Sequence, residues 1–222
     1  MSRILISAFT FATILYLAPQ AVLSAGPLSF VNGSFEADAT SGWESACATG
    51  LTGWTAHCTG APPYLVNNAT YGNTPYGSQF VAIGGIEDGE TSWIEQAVSG
   101  FTVGNTYTLS WAQSSEYTSS DELQVSFISG SSTASQIFTT PPYPGGSQFW
   151  FTWTNESMQF VATAATVDFH FQGVPGSGSY EVGVDNFQIA GASSTPEPAS
   201  AGLMALGGLA LFALRRIRRQ IA

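Results

Sequence analysis

The groups in this sequence that could do chemistry are fifteen carboxylates, two imidazoles, and the rings of six Trp and eight Tyr. Every acidic residue lies between Glu36 and Glu197. All five basic residues, Arg3, Arg215, Arg216, Arg218 and Arg219, lie at the termini. The middle of the chain therefore has no Lys or Arg to neutralise a carboxylate. A buried one there must be protonated, hydrogen-bonded by neutral donors, or placed on a metal cation. The same imbalance argues against nucleic acid as a partner, because a phosphate backbone needs cationic neutralisation. It argues equally against an anionic lipid surface.

Sugar binding needs flat aromatic faces that stack on pyranose rings, with amides and carboxylates beside them to receive hydroxyls. In the run Ser92 to Val98, Trp93 and Glu95 fall on the face opposite Ile94, Gln96 and Val98, which makes them a candidate exposed pair. Trp150, Tyr64, Tyr71, Tyr76 and Tyr143 lie in Pro- and Gly-rich stretches and are further candidates. The competing reading is that these rings are core, as most Trp in a stacked-sheet protein is. Catalysis has little support, since no Gly-x-Ser-x-Gly, His-Glu-x-x-His or phosphate loop is present. Paired carboxylates can hydrolyse glycosides, and Asp121, Glu122, Asp168 and Glu181 are the residues such a reading would draw on. Glu87-Asp88-Gly89-Glu90 reads as a hydrated turn, because it lacks the longer ligand register of a calcium loop.

The elements that must position these groups are strands. Short runs with period-two alternation recur between clusters of Gly, Pro, Ser and Asn, and no helical period competes with them. The expected strands are Leu28 to Phe35, Gln79 to Ile83, Ser92 to Val98, Thr106 to Trp111, Leu123 to Ile128, Phe149 to Trp153, Met158 to Thr163, Thr166 to Gln172 and Val182 to Ile189. Their number and spacing predict two packed antiparallel sheets, an all-β sandwich. Alternation turns Tyr107, Leu109 and Trp111 inward, and likewise Leu123, Val125 and Phe127, and Val167, Phe169 and Phe171. It leaves Asp168, His170 and Gln172 facing out. Cys47 and Cys58 are the only cysteines. In an exported chain they predict one disulfide closing a short loop, and with His57 alone beside them they do not supply a zinc site.

Asn32-Gly33-Ser34-Phe35-Glu36, then Trp54, Gln96, Gly104-Asn105-Thr106-Tyr107-Thr108-Leu109 and Val184-Asp185-Asn186-Phe187 together resemble the galactose-binding-like jelly-roll modules, which include several carbohydrate-binding modules. The resemblance implies a jelly-roll β-sandwich over residues 26–191. It also implies a structural calcium ion held between Glu36 and Asp185. Calcium takes six to eight oxygens, which carboxylates and backbone carbonyls can supply. The alternative is that both are ordinary solvated carboxylates.

The two ends carry export signals. Residues 1–25 open with Arg3, continue through an apolar run from Ile4 to Ala18 and close on small residues, the pattern of a secretory signal peptide. Residues 192–222 begin with a small-residue spacer and Pro196-Glu197-Pro198. Ala199 to Leu214 then runs sixteen residues without a charge, before the cluster of Arg215, Arg216, Arg218 and Arg219. As a helix that run would be about 24 Å long, short for a hydrocarbon core of about 30 Å but able to span with some thinning. The arginines belong on the cytoplasmic side, which places everything before Pro196 outside the inner membrane. This order of tripeptide, short helix and Arg-rich end resembles the PEP-CTERM sorting signal of Gram-negative bacteria. The resemblance implies an exosortase-type processing partner, transient anchoring in the inner membrane, and delivery to the outer surface or the medium.

Three functions fit these readings. The first is a non-catalytic module that binds extracellular polysaccharide at the cell surface. The second is a calcium-stabilised structural envelope protein without a sugar ligand. The third is a polysaccharide-active hydrolase or lyase.

Overall fold

The computed structural model describes residues 28–84, 91–117, 120–142, 152–175 and 181–191. The expected signal peptide, the sorting tail, Tyr143, Trp150 and the Glu87-to-Glu90 turn lie outside the described residues.

Eleven strands form two antiparallel sheets among the described residues. The six-stranded sheet contains β1 (Trp43–Ser45), β3 (Tyr64–Asn67), β4 (Gln79–Gly84), β6 (Thr106–Ser115), β9 (Thr154–Val161) and β11 (Glu181–Gly191), in the order β1-β3-β4-β11-β6-β9. The five-stranded sheet contains β2 (Thr55–Ala56), β5 (Trp93–Ser99), β7 (Glu122–Ser129), β8 (Ser132–Thr139) and β10 (Thr166–Gly173), in the order β2-β5-β10-β7-β8. Consecutive strands repeatedly switch sheets, as β4 to β5 and β10 to β11 do; the result is the pair of packed antiparallel sheets that the alternation predicts, in the jelly-roll form that the family resemblance implies. Two single-turn helices, α1 (Ala46–Thr49) and α2 (Asn68–Tyr71), are additions to an otherwise all-β reading.

The inward faces are those that period two assigns. Leu109, Trp111, Leu123, Val125, Val167, Phe169 and Phe171 are all buried between the sheets. Much of the core is aromatic. Phe30 stacks on Trp54 with ring centroids 5.3 Å apart, and Phe171 meets Phe187 at 4.4 Å. Each ring removed from water contributes about 2 kcal/mol, and the offset and tilted contacts add to that. A smaller cluster on the outer face of the six-stranded sheet groups Val66, Phe80 and Ala82 with Trp43, Tyr64 and Trp153.

Leu28 to Phe35 is not a strand. The segment is turns, with Asn32 and Phe35 at φ of 53° and 59°, and it drops Phe30 and Phe35 into the core from a loop. Gly33 is pinned to β11 by a bond from the Phe187 N–H to its carbonyl at 2.8 Å. A Cβ on Gly33 would lie 2.5 Å from the Phe187 carbonyl oxygen, so only glycine permits that approach. Thr152 and Trp153 precede β9 without strand pairing, and the rest of the expected Phe149-to-Trp153 strand lies outside the described residues. Strands β1, β2, β3 and β8 have no counterpart in the sequence-based expectation.

Cys47 and Cys58 form the expected disulfide, with S–S 2.00 Å and Cα atoms 5.6 Å apart. It joins α1, beside the edge strand β1 of one sheet, to the segment leaving β2, the edge strand of the other. The bridge therefore staples the two sheets at one edge of the sandwich.

Candidate functional site

Strand pairing builds one polar surface on the outward face of the five-stranded sheet. Glu95 on β5 lies across from Thr55 on β2 and from His170 on β10, and His170 lies across from Ser126 on β7. One rung along, Trp93 faces Gln172, and Gln172 faces Gln124. These outward side chains are half-buried, apart from the exposed Thr55, and Asp168 on the next rung is exposed. The expected Trp93 and Glu95 pair is therefore present, and it joins the outward residues His170 and Gln172 in a single register.

The environment of Trp93 differs from an open platform. The His57 N–H donates to the Trp93 carbonyl at 2.9 Å, and its ring stacks on the indole with centroids 4.9 Å apart and planes 17° from parallel. His170 reaches the same indole at 4.8 Å and 41°. Because β5 lies between β2 and β10, the two imidazoles come from opposite sides. What this surface offers a ligand is a ridge of three rings flanked by amides, hydroxyls and carboxylates. Burial, and then the neighbouring His57, hold the His170 imidazole below its usual range. His57 was missed as a site residue because β2 is two residues long and leaves no periodic signal.

Tyr64 and Tyr76 do not belong to this surface. Tyr64 lies on β3 of the other sheet and packs against Trp43 at 5.4 Å. The Tyr76 hydroxyl donates to Asn155 Oδ1 on β9 at 2.5 Å. Tyr64 belongs to the six-stranded sheet and the Tyr76 hydroxyl is tied to that sheet's β9, so neither joins the outward face of the other sheet that carries Trp93.

Glu36 and Asp185 meet at the start of β4. Glu36 Oε1 accepts from the backbone N–H groups of Ser78 (2.8 Å) and Gln79 (3.0 Å), and its Oε2 accepts from the Ser78 hydroxyl at 2.6 Å. Asp185, wholly buried, accepts from the Thr74 hydroxyl at 2.5 Å and from the Asn186 N–H at 2.6 Å. A bulge in β11 after Asp185, with Asn186 at φ 55°, turns the chain there. Burial, with a smaller push from the charge of Glu36, raises Asp185 to about 7 against the lowering effect of its two hydrogen bonds. The Gln79 side-chain amide bridges the carbonyls of Phe35 and Asp38 beside this pair. Two carboxylates, a hydroxyl and two backbone carbonyls are the hard oxygen donors that calcium takes, so the residues fit the ion. Among the described residues no group of three or more His, Cys, Asp or Glu side chains is placed to hold a metal, so any site here must rely on such neutral oxygens.

Asp121, Glu122, Asp168 and Glu181 do not form one catalytic group. Asp168 lies on the outward face of the five-stranded sheet, whereas Asp121 is buried where the chain passes from β6 to β7 and Glu181 opens β11 in the other sheet.

Beyond the sandwich, Pro196-Glu197-Pro198, the uncharged run and the terminal arginines follow one another in order. Residues 194–219 match the PEP-CTERM protein-sorting motif. The PEP-CTERM tail marks the chain as an exported, sorted protein and implies processing by an exosortase. No helix among the described residues is long and apolar enough to cross a membrane, and the PEP-CTERM tail lies outside them. No curated protein matches the chain. Among solved structures it is similar to carbohydrate-binding modules. One is TmCBM61 in complex with β-1,4-galactotriose, at 13% identity and a TM-score of 0.49, covering 74% of this chain and 99% of that one. Another is Family 16 Carbohydrate Binding Module-2, at 18% identity and a TM-score of 0.47, covering 72% of this chain and 98% of that one. A third is the CBM22-1-GH10 portion of Clostridium thermocellum xylanase 10B complexed with xylohexaose, at 14% identity and a TM-score of 0.47, covering 76% and 29%.

Proposed function

We propose that this protein is a non-catalytic polysaccharide-binding module, exported through its signal peptide and delivered to the cell surface by its PEP-CTERM tail. The apolar run Ala199 to Leu214 anchors it in the inner membrane at least until processing. The observation that carries the binding reading is the ring ridge of His57, Trp93 and His170, set in register with Glu95, Gln172, Gln124 and Ser126 on one outward face. The two imidazoles cover the faces of the indole, so the ridge offers a sugar its ring edges and outer imidazole surfaces as apolar area, and the flanking amides and carboxylates receive the hydroxyls. Extracellular polysaccharide is the expected ligand.

The test is affinity electrophoresis of the purified full chain through gels containing neutral and acidic polysaccharides, including polymer from the producing cell. Wild type should be retarded by at least one polymer, and Trp93→Ala together with Glu95→Gln should weaken that retardation by about tenfold or more, the equivalent of about 1.4 kcal/mol. A wild-type chain that migrates freely through every gel rejects the reading.

A calcium-stabilised envelope protein without a sugar ligand is the second reading, favoured by the buried Asp185 beside Glu36 with no cationic residue in residues 28–191. In it, Glu36 and Asp185 hold calcium with the Thr74 hydroxyl and the Phe35 and Asp38 carbonyls. The ion would tie the start of the domain to its last strand and neutralise both carboxylates. Chelation should then lower the melting temperature while every gel stays blank; an unchanged melt removes the ion.

A further inference from the structure

Four strands end the two sheets, β1 and β9 in one, β2 and β8 in the other. An edge strand offers unpaired N–H and C=O groups to any strand that can approach, and proteins blunt such edges by shortness, charge, proline or a bulge. Strands β1 and β2 are three and two residues long. Strand β9 carries Glu156 on the side it shares with the buried Phe160, so a carboxylate points toward the sandwich. Strand β8 has none of these devices. Ser132–Thr139 includes no charge and no proline, and it pairs with β7 in one unbroken register.

Strand β8 also stands clear of the rest of the molecule. Ser132 through Ile137 are all exposed, and among the described residues the strand makes no backbone bond beyond its ladder with β7. Ala134 and Gln136 share a side with the buried Phe138 yet are exposed, so this part of the strand reaches past the cover of the opposite sheet. On the outward side, Ile137 and Ile128 of β7 are each 48% exposed. Every second residue of β8 turns its N–H and C=O away from β7, toward where a further strand would lie.

The occupant that fits is a second copy of the same strand. At a net charge of -10 two of these chains repel over much of their surface, whereas a pair of β8 strands brings no carboxylate of either strand against the other. Antiparallel pairing about a two-fold axis at Ser135 sets Ile137 across from the second copy's Thr133. Thr133 is itself the cross-strand partner of Ile128, so the exposed isoleucines of both copies gather along one side of the new ladder. The contact is self-complementary, as a two-fold interface requires.

We propose that the protein dimerises by antiparallel pairing of β8 with β8 of a second copy, joining two five-stranded sheets into one of ten strands. A two-fold axis that reverses strand direction within a sheet runs perpendicular to it and keeps each face on its own side. Both outward faces, with their rings of His57, Trp93 and His170, therefore look the same way. Counting through β10, β7 and β8 of each copy, the two β5 strands are seven strand spacings apart, about 34 Å. The interface is one strand wide, so the dimer is weak and forms where chains are concentrated. The pairing requires no sugar; only the engagement of one polymer by both ridges rests on the polysaccharide-binding reading.

Sedimentation velocity of the full chain in detergent, over a concentration series, tests the pairing. Wild type should shift toward a dimer as concentration rises. Ser135→Glu with Ile137→Glu sets like charges across the two-fold axis and should abolish the shift. Ser157→Glu with Gln159→Glu, at exposed positions of β9, adds the same charge and should preserve it. A wild type that stays monomeric overturns the proposal. So does a dimer that survives the β8 change, because the apolar tail or another face then holds it, and so does one that the β9 change dissolves equally. Where the β8 variant does not fold, hydrogen exchange of wild type decides. Amides of Ser132 to Thr139 should slow as concentration rises, and exchange independent of concentration overturns the pairing. Affinity electrophoresis separates this proposal from the sugar reading. A polymer that retards wild type should retard the monomeric variant about tenfold less or weaker still, and equal retardation overturns the shared engagement. A dimer that no polymer retards leaves the pairing standing and rejects only the polysaccharide-binding reading.

Discussion

His57 and Trp93 are held together twice, by the bond from the His57 N–H to the Trp93 carbonyl at 2.9 Å and by the stacking of their rings 4.9 Å apart. The neighbour of His57 is Cys58, whose disulfide to Cys47 anchors this short segment at the edge of the five-stranded sheet. The bridge thus fixes one side of the ring ridge as well as joining the sheets.

Replacing both Cys47 and Cys58 by Ser should cost about 3 kcal/mol on the loop-entropy account of a disulfide this short. Urea denaturation measures that loss. In the variant that remains folded, the His57 ring should leave the indole, read as a change in Trp93 fluorescence that Trp93→Phe abolishes.

His170 gives a pH dependence of definite sign. Its imidazole is held below the usual 6.5, so between its folded value and 6.5 the unfolded chain binds more protons. Native stability therefore falls as pH drops through that window. Melting temperatures of His170→Gln relative to wild type should rise progressively below pH 6.5; a constant difference from pH 7.5 to 5 contradicts the burial of this ring.

The two buried acids act in the opposite direction. Asp185 moves from 3.8 to about 7 and Glu181 from 4.5 to about 8, so across these intervals the native chain holds more protons than the unfolded one. Chelated protein should lose stability as pH rises from about 4 to 8. On the calcium reading, added calcium should restore it most at pH 8, where Asp185 would otherwise stand buried and ionised with only its two hydrogen bonds to hold the charge. Melts at pH 5 and pH 8, with chelator and with calcium, check this; a calcium effect equal at both values contradicts it.

Gly33→Ala should destabilise by about 1–3 kcal/mol, the range for forcing an extra carbon into a packed site. Its Cβ would press on the Phe187 backbone carbonyl, an atom that cannot rotate away. Gly42→Ala is the control, because nothing lies within 4 Å of the added carbon there.

Local pattern was enough to read the inward faces. Leu109 and Trp111, Leu123 and Val125, and Phe169 and Phe171 alternate with polar residues over a few positions, and a strand's period acts over that same range. The absence of cations and the order of the PEP-CTERM tail are likewise linear properties. Strand β8 escaped because, of its residues, only Phe138 is buried, so no alternation marks Ser132 to Thr139. Leu28 to Phe35 misled because its apolar residues serve the core from turns, where Asn32 and Phe35 take positive φ. The pairing of Glu36 with Asp185 came from a family resemblance, not from the residues themselves. The burial of Glu181 against Gly84, and the enclosure of Trp93 between His57 and His170, came only with the tertiary structure. Strand pairing and loop packing join residues remote along the chain, whereas pattern along the chain reports only which side of its own strand a residue faces.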